Sequence, residues 1–120
     1  MYSDKTNILA DKSYDFAVLI VNIYKKIVRE QKEYVLSKQL LKCGTSIGAN
    51  VAEANGGIST ADFSAKISIA YKESLESKFW LRLLKDTEYI SVEDFQILFN
   101  NADELSRILF SILKKTRIKN

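Results

Sequence analysis

Three carboxylates, Glu53, Glu73 and Glu76, are the side chains of this 120-residue chain whose types and spacing come closest to a chemical site. Residues three apart on a helix share a face, so the E-x-x-E pair at 73 and 76 presents two carboxylates together. With Glu53 beside them they would make an oxygen-rich site for a hard divalent cation. The chain has no histidine. That excludes the Glu-x-x-His ligation of di-iron and di-manganese bundles and the Ser-His-Asp and Cys-His nucleophile pairs. It also removes the side chain that most readily moves protons near neutral pH. Structural or surface carboxylates are the expectation, with a carboxylate metal-binding bundle as a further alternative.

The second candidate is the stretch 43–57, CGTSIGANVAEANGG. Its glycines suggest a phosphate-cradling loop, but a P-loop follows a strand and carries G-x-x-x-x-G-K-[ST]. No lysine follows these glycines, and the dinucleotide pattern G-x-G-x-x-G is absent as well. No catalytic residue and no cofactor are assigned. The single cysteine, Cys43, excludes an internal disulfide and a cysteine-based zinc cluster, and its apolar neighbours mark it as a buried small hydrophobe. Laid on a helix, Gly44, Gly48 and Ala52 line one flank and would let a neighbouring backbone approach closely, while Ser46, Asn50 and Glu53 line the other. The stretch reads as a packing device beside a structural polar seam.

The elements that must position these residues are helices. Residues recur at intervals of three and four in four segments: Phe16, Ile20, Ile23 and Ile27; Leu40, Cys43, Ile47 and Val51; Phe63, Ile67, Ala70, Ser74, Ser77, Leu81 and Leu84, apolar but for two serines in the middle; Leu98, Ala102, Leu105 and Leu109. Proline is absent, and short breaks at 31–35, 55–60 and 87–91 separate the segments. Ser59 or Thr60 suits an N-cap, and Ser91 with Asp94 resembles a capping box. Helices are predicted over about 7–30, 37–55, 60–87 and 92–116 of a single domain, 1–120. Short connections make sequential helices antiparallel, so the fold class is all-α, an up-down-up-down four-helix bundle. Counting outward from the turn near Gly57 brings Lys66 level with Glu53 and Glu73 level with Lys42. Half-buried Glu53–Lys66 and Lys42–Glu73 contacts are predicted, with a register-setting role.

The third segment is apolar nearly all round. Leu75, Phe79 and Leu83 form a second stripe away from the core seam, with Ile69 and Trp80 between the two. In a bundle of this size such a face is expected to be an oligomer interface. Charge is modest, at +3 with a pI near 8.9. Lys25, Lys26, Arg29 and Lys32 end the first helix; Lys114, Lys115, Arg117 and Lys119 end the fourth. Helix macrodipoles account for cations there. A symmetric oligomer would repeat each cluster, and the summed field could bind a polyanion, RNA or DNA. The chain shows no signal-peptide pattern and no apolar run long enough for a membrane span, so a cytoplasmic address without membrane contact is expected.

The run SKQLLKCGTSIGANVAEANGG at 37–57, followed by DFSAKISIAYKESLESKFWLRLLKDTEYI at 62–90, resembles the small bacterial four helix bundle protein family. That family includes the proteins encoded in intervening sequences of 23S rRNA genes, and the accessory variability proteins of diversity-generating retroelements are similar. The resemblance covers about 14–113 and is most specific at 44–54, then at Glu73, Glu76 and 80–84. It implies an antiparallel four-helix bundle assembling into a ring or barrel, commonly a homopentamer, with no known enzymatic activity. In the retroelement branch it implies a basic surface engaging nucleic acid and a partner reverse transcriptase. The expectation is a non-enzymatic, oligomeric, nucleic-acid-binding bundle; the alternative is a protein-interaction module whose third-helix stripe docks another protein.

Overall fold

In the computed structural model the described residues are 4–119, with side chains described over 8–116. Four helices, α1 (Asp4–Gln31), α2 (Leu36–Asn55), α3 (Thr60–Asp86) and α4 (Val92–Lys119), pack as an antiparallel bundle with extents of 46 × 21 × 20 Å. Consecutive helices pack against one another around the square, and α4 closes against α1; there is no strand among the described residues. Phe16, Ile20 and Ile27 of α1 meet Leu40 and Ile47 of α2, Leu81 and Leu84 of α3, and Leu105 and Leu109 of α4 in a core that excludes water. Burying one such aliphatic side chain contributes about 1.5–3 kcal/mol, and the three-and-four spacing puts them all on inward faces.

The connections are set by specific caps. Ser59 Oγ accepts from Asp62 N at 3.1 Å and Ser91 Oγ from Asp94 N at 3.0 Å, which starts α3 and α4. α2 starts differently. The Glu33 carboxylate accepts from the N–H groups of Val35, Leu36 and Ser37 at 2.9, 2.9 and 2.7 Å, while Ser37 Oγ donates to the Glu33 carbonyl at 2.9 Å. Burial alone would raise this carboxyl, but the N–H groups of Leu36, Ser37 and Val35 hold it below its ordinary value of 4.5. Just past the ends of α1 and α3, Lys32 and Glu88 are both left-handed, with φ of 56° and 66°. The Tyr89 N–H then reaches back to the Leu84 carbonyl at 2.8 Å, a Schellman closure built without glycine.

Small residues bring the helices close. A Cβ at Gly44 would lie 2.8 Å from Ile20 Cγ1 and 2.9 Å from Ile20 Cγ2, and one at Gly48 would lie 3.2 Å from the Ser13 carbonyl oxygen. The flank read from the sequence therefore faces α1 as far as Gly48. Ala52, its third member, is exposed, because at 3.6 residues per turn each step of four rotates by about 40° and carries the row off the face that meets α1. Between α3 and α4, Ser106 Oγ donates to the buried Ser74 Oγ at 2.8 Å, and Ser74 Oγ donates to the Tyr71 carbonyl at 2.6 Å.

Candidate functional site

The polar seam lies between α2 and α3. Glu53 Oε1 meets Lys66 Nζ at 2.7 Å, with the two side chains 58% and 39% exposed. The pair is a rim contact rather than a half-buried one, and surface pairs contribute about 0–1 kcal/mol. Ser46 and Asn50 bond to each other within α2, Asn50 Nδ2 donating to the Ser46 carbonyl and hydroxyl, both at 2.9 Å. The predicted Lys42–Glu73 pair does not form: Lys42 projects outward, and no described carboxylate sits within ion-pair distance of it. Burial, and then the Glu76 carboxylate, push the Glu73 carboxyl upward, with no cation opposing them.

The same three carboxylates fail as a metal site. Among the described residues no group of three acidic, histidine or cysteine side chains converges. Glu53 is drawn to Lys66 at one end of the seam, Glu76 accepts from Trp80 Nε1 at 3.1 Å further along, and Glu73 stands alone between them. Cys43 lies behind this flank, 2% exposed, with Ser77 Oγ at 3.4 Å from its sulfur. Burial pushes its thiol up to about 11; the Ser77 hydrogen bond opposes this and the Glu76 and Glu73 charges add to it. It is a protonated, inert core residue.

A different surface stands out. On the outer side of α3, Ile69, Leu75 and Phe79 are 42%, 43% and 58% exposed, and Leu83 is half-buried. Trp80 packs its ring edge-on to Phe79 with centroids 5.1 Å apart. One turn before Leu75, Tyr71 meets the exposed Phe110 of α4 with centroids 5.8 Å apart. The apolar stripe thus continues onto α4. Phe110 escapes a sequence reading because it lies off the core stripe of its own helix, and only the packing of α4 on α3 brings it alongside Tyr71. Below it, charges and rings tie the two helices. Lys78 Nζ is 2.8 Å from Asp103 and 5.4 Å from the Phe99 ring centroid, and Lys85 Nζ is 4.4 Å from that of Phe95. The hydrogen bond from Lys78 holds the Asp103 carboxyl below its ordinary range.

The basic clusters sit at opposite ends of the bundle. At one, Lys26 pairs with Asp94 at 3.0 Å and Arg29 with Glu30 at 3.3 Å, which leaves Lys25 and Lys32 as exposed cations without a described partner. The hydrogen bond to Asp94 raises the Lys26 ammonium. A cavity of about 430 Å³ opens beside them, with Ile23, Ile27 and Ile90 among its apolar lining and Lys26, Lys85, Glu30, Glu88 and Asp94 of mixed charge around them. At the other end Lys114 and Lys115 are exposed, while the side chains of Arg117 and Lys119 lie outside the described residues. No helix is long and apolar enough to cross a membrane, among the described residues.

The family model described as 23S rRNA-intervening sequence protein matches residues 5–111. A crystal structure from Bacteroides thetaiotaomicron, described as a protein with unknown function from the S23 ribosomal protein family, is 52% identical. It superimposes with a TM-score of 0.89 over 92% of this chain and 98% of that one. No curated protein matches the chain.

Proposed function

The chain belongs to the 23S rRNA-intervening sequence protein family, and from that premise we propose that it is a non-enzymatic assembly module. It associates with copies of itself and, once assembled, binds nucleic acid through repeated basic patches. The observation that carries this reading is the exposed apolar stripe of Ile69, Leu75 and Phe79, joined by Phe110 from the next helix. Contiguous exposed apolar surface of this kind marks an interaction site, and aromatic side chains supply most of the energy in such contacts. One subunit carries only +3, with half of its α1 cluster neutralised internally. Repetition around an assembly multiplies the remaining cations Lys25, Lys32, Lys114 and Lys115 into a field that one copy lacks.

Size exclusion with light scattering tests the first half: the expected mass is a clear multiple of 13.7 kDa, and a single-subunit mass at tens of micromolar refutes it. Binding to labelled 23S rRNA fragments and to duplex DNA across a salt series tests the second. Affinity should fall steeply with salt if phosphates dominate. An assembly that binds neither at low salt is instead a protein-interaction module, a reading the same apolar stripe supports.

A further inference from the structure

We infer that the cavity between the end of α1 and the α3–α4 connection is a binding site for a small aliphatic amine, a hydrocarbon chain ending in an ammonium group. The site lies at one end of the bundle, away from the outer stripe of α3, and does not rest on self-association. Its volume of about 430 Å³ falls within the range of small-molecule sites, whose lining is mostly apolar with a few placed polar groups. The α1–α4 side is the most sparsely packed of the four. Near its end Lys26 and Asp94 tie the two helices at 3.0 Å, and beyond them the chain turns at Glu88 before Ser91 caps α4. The gap is floored by Ile23 and Ile27 of α1 and Ile90 of the connection, all three buried side chains. Such a floor accepts an alkyl chain and gains by its burial, whereas a hydrated ion would lose its water there.

The rim selects the sign of the head group. Lys26 and Lys85 stand against Glu30, Glu88 and Asp94 in the lining, two cations against three carboxylates, in a chain that carries +3 overall. Both cations are already engaged: Lys26 by Asp94, and Lys85 by Asp86 at 3.4 Å and by the Phe95 ring with 4.4 Å to its centroid. Glu30 shares Arg29 at 3.3 Å, and no described cation lies within ion-pair distance of Glu88. The unmatched charge is therefore negative, and the exposed Lys25 and Lys32 are not part of the lining. The helix ends add the same sign. α1 and α3 both finish at this level, and helix C-termini favour cations. The opposing N-termini, of α2 and α4, are occupied by the Glu33 carboxylate and the Ser91 hydroxyl. Glu88 also holds a left-handed backbone that glycine would adopt more readily, so its carboxylate is kept at the rim at a conformational cost. An ammonium donates to Glu88 and Glu30 while its chain lies on the isoleucines.

The test titrates the full chain, isotopically labelled at its isoleucine methyls, with hexylammonium, hexanol and hexanoate at matched concentration and ionic strength, read by nuclear magnetic resonance. Hexylammonium should shift the methyls of Ile23, Ile27 and Ile90 and saturate at millimolar concentration. Hexanol and hexanoate should bind at least about tenfold more weakly, since they forgo the charge-assisted hydrogen bonds. Glu88→Gln, at an exposed position that leaves the helical circular dichroism unchanged, should weaken hexylammonium by about tenfold. Glu93→Gln removes an exposed carboxylate at the same end but outside the lining, and should change nothing. Equal binding of hexanol, or a preference for hexanoate, overturns the amine. Undiminished binding by Glu88→Gln overturns the placement of its head group, and isoleucine methyls that move for none of the three probes overturn the site. Self-association, read separately as a mass, stands or falls independently of each result.

Discussion

Replacing Gly44 with alanine sets two effects of opposite sign against each other. Alanine is favoured over glycine in a helix interior by about 1 kcal/mol, and Gly44 lies well inside α2 with an unstrained backbone. Against this, the new methyl would lie 2.8 and 2.9 Å from the two γ-carbons of Ile20. The Cγ1 methylene and Cγ2 methyl are both bonded directly to the Cβ of a β-branched side chain with 0% exposure, so neither can swing clear as the far end of a flexible chain could. Relief therefore requires α1 to move or Ile20 to leave its rotamer, and such overpacking costs about 1–3 kcal/mol. The net expectation is a loss on the order of 1 kcal/mol, or about 4 °C in Tm for a chain of this size. Urea unfolding followed by far-ultraviolet circular dichroism, at one fixed protein concentration, measures it. A double-mutant cycle isolates the cause. In an Ile20→Ala background the clash is gone, so Gly44→Ala should become stabilising by up to about 1 kcal/mol. Ile20→Val keeps both γ-carbons and should leave the penalty in place. A Gly44→Ala variant that gains the full propensity term with Ile20 present would refute the close approach of α1 and α2.

Glu33→Ala should cost about 1 kcal/mol, because it frees three backbone N–H groups at the start of α2. The folded carboxyl is held below its ordinary value of 4.5, so its contribution is present above that pH and lost as pH falls through the lower folded value; Glu33→Gln should flatten the Tm-versus-pH slope there. Glu88→Gly relieves a left-handed non-glycine residue and should raise stability by up to about 1 kcal/mol in the same urea assay; no gain would mean that the Glu88 side chain earns its place by contacts. Cys43, with its thiol near 11, should resist iodoacetamide at pH 8, where on the order of one molecule in a thousand is thiolate, and react at once in denaturant. Rapid labelling of the folded chain would show that α2 and α3 open at that level.

Four helices and their inward faces are legible in the sequence, because helix periodicity is a local property and every core stripe repeats at three or four residues. The serine caps of α3 and α4 are equally local. So is the exclusion of histidine-based chemistry, which needs only a residue count. The resemblance carried by the run at 44–54 leads to the same family that the chain matches over 5–111. The start of α2 is less legible, since a glutamate reaching forward to three N–H groups lies outside the usual capping preferences.

What only the tertiary structure decided depends on how one helix face meets another, which no spacing along one helix contains. Counting from the turn placed Lys66 beside Glu53 correctly, because their separation across a short loop leaves little freedom. The same count failed for Lys42 and Glu73, where the outward rotation of Lys42 matters more than level. Gly48 faces α1 while Ala52, about one turn on, faces water, because a row spaced by four drifts by about 40° per step around its helix. Phe110 joins the outer stripe only through packing: it is an off-stripe residue on α4 until α4 lies against α3 and its ring meets Tyr71. The sequence determined which residues are apolar and on which helix they ride; the packing of helix on helix determined which of them remain at the surface for a partner.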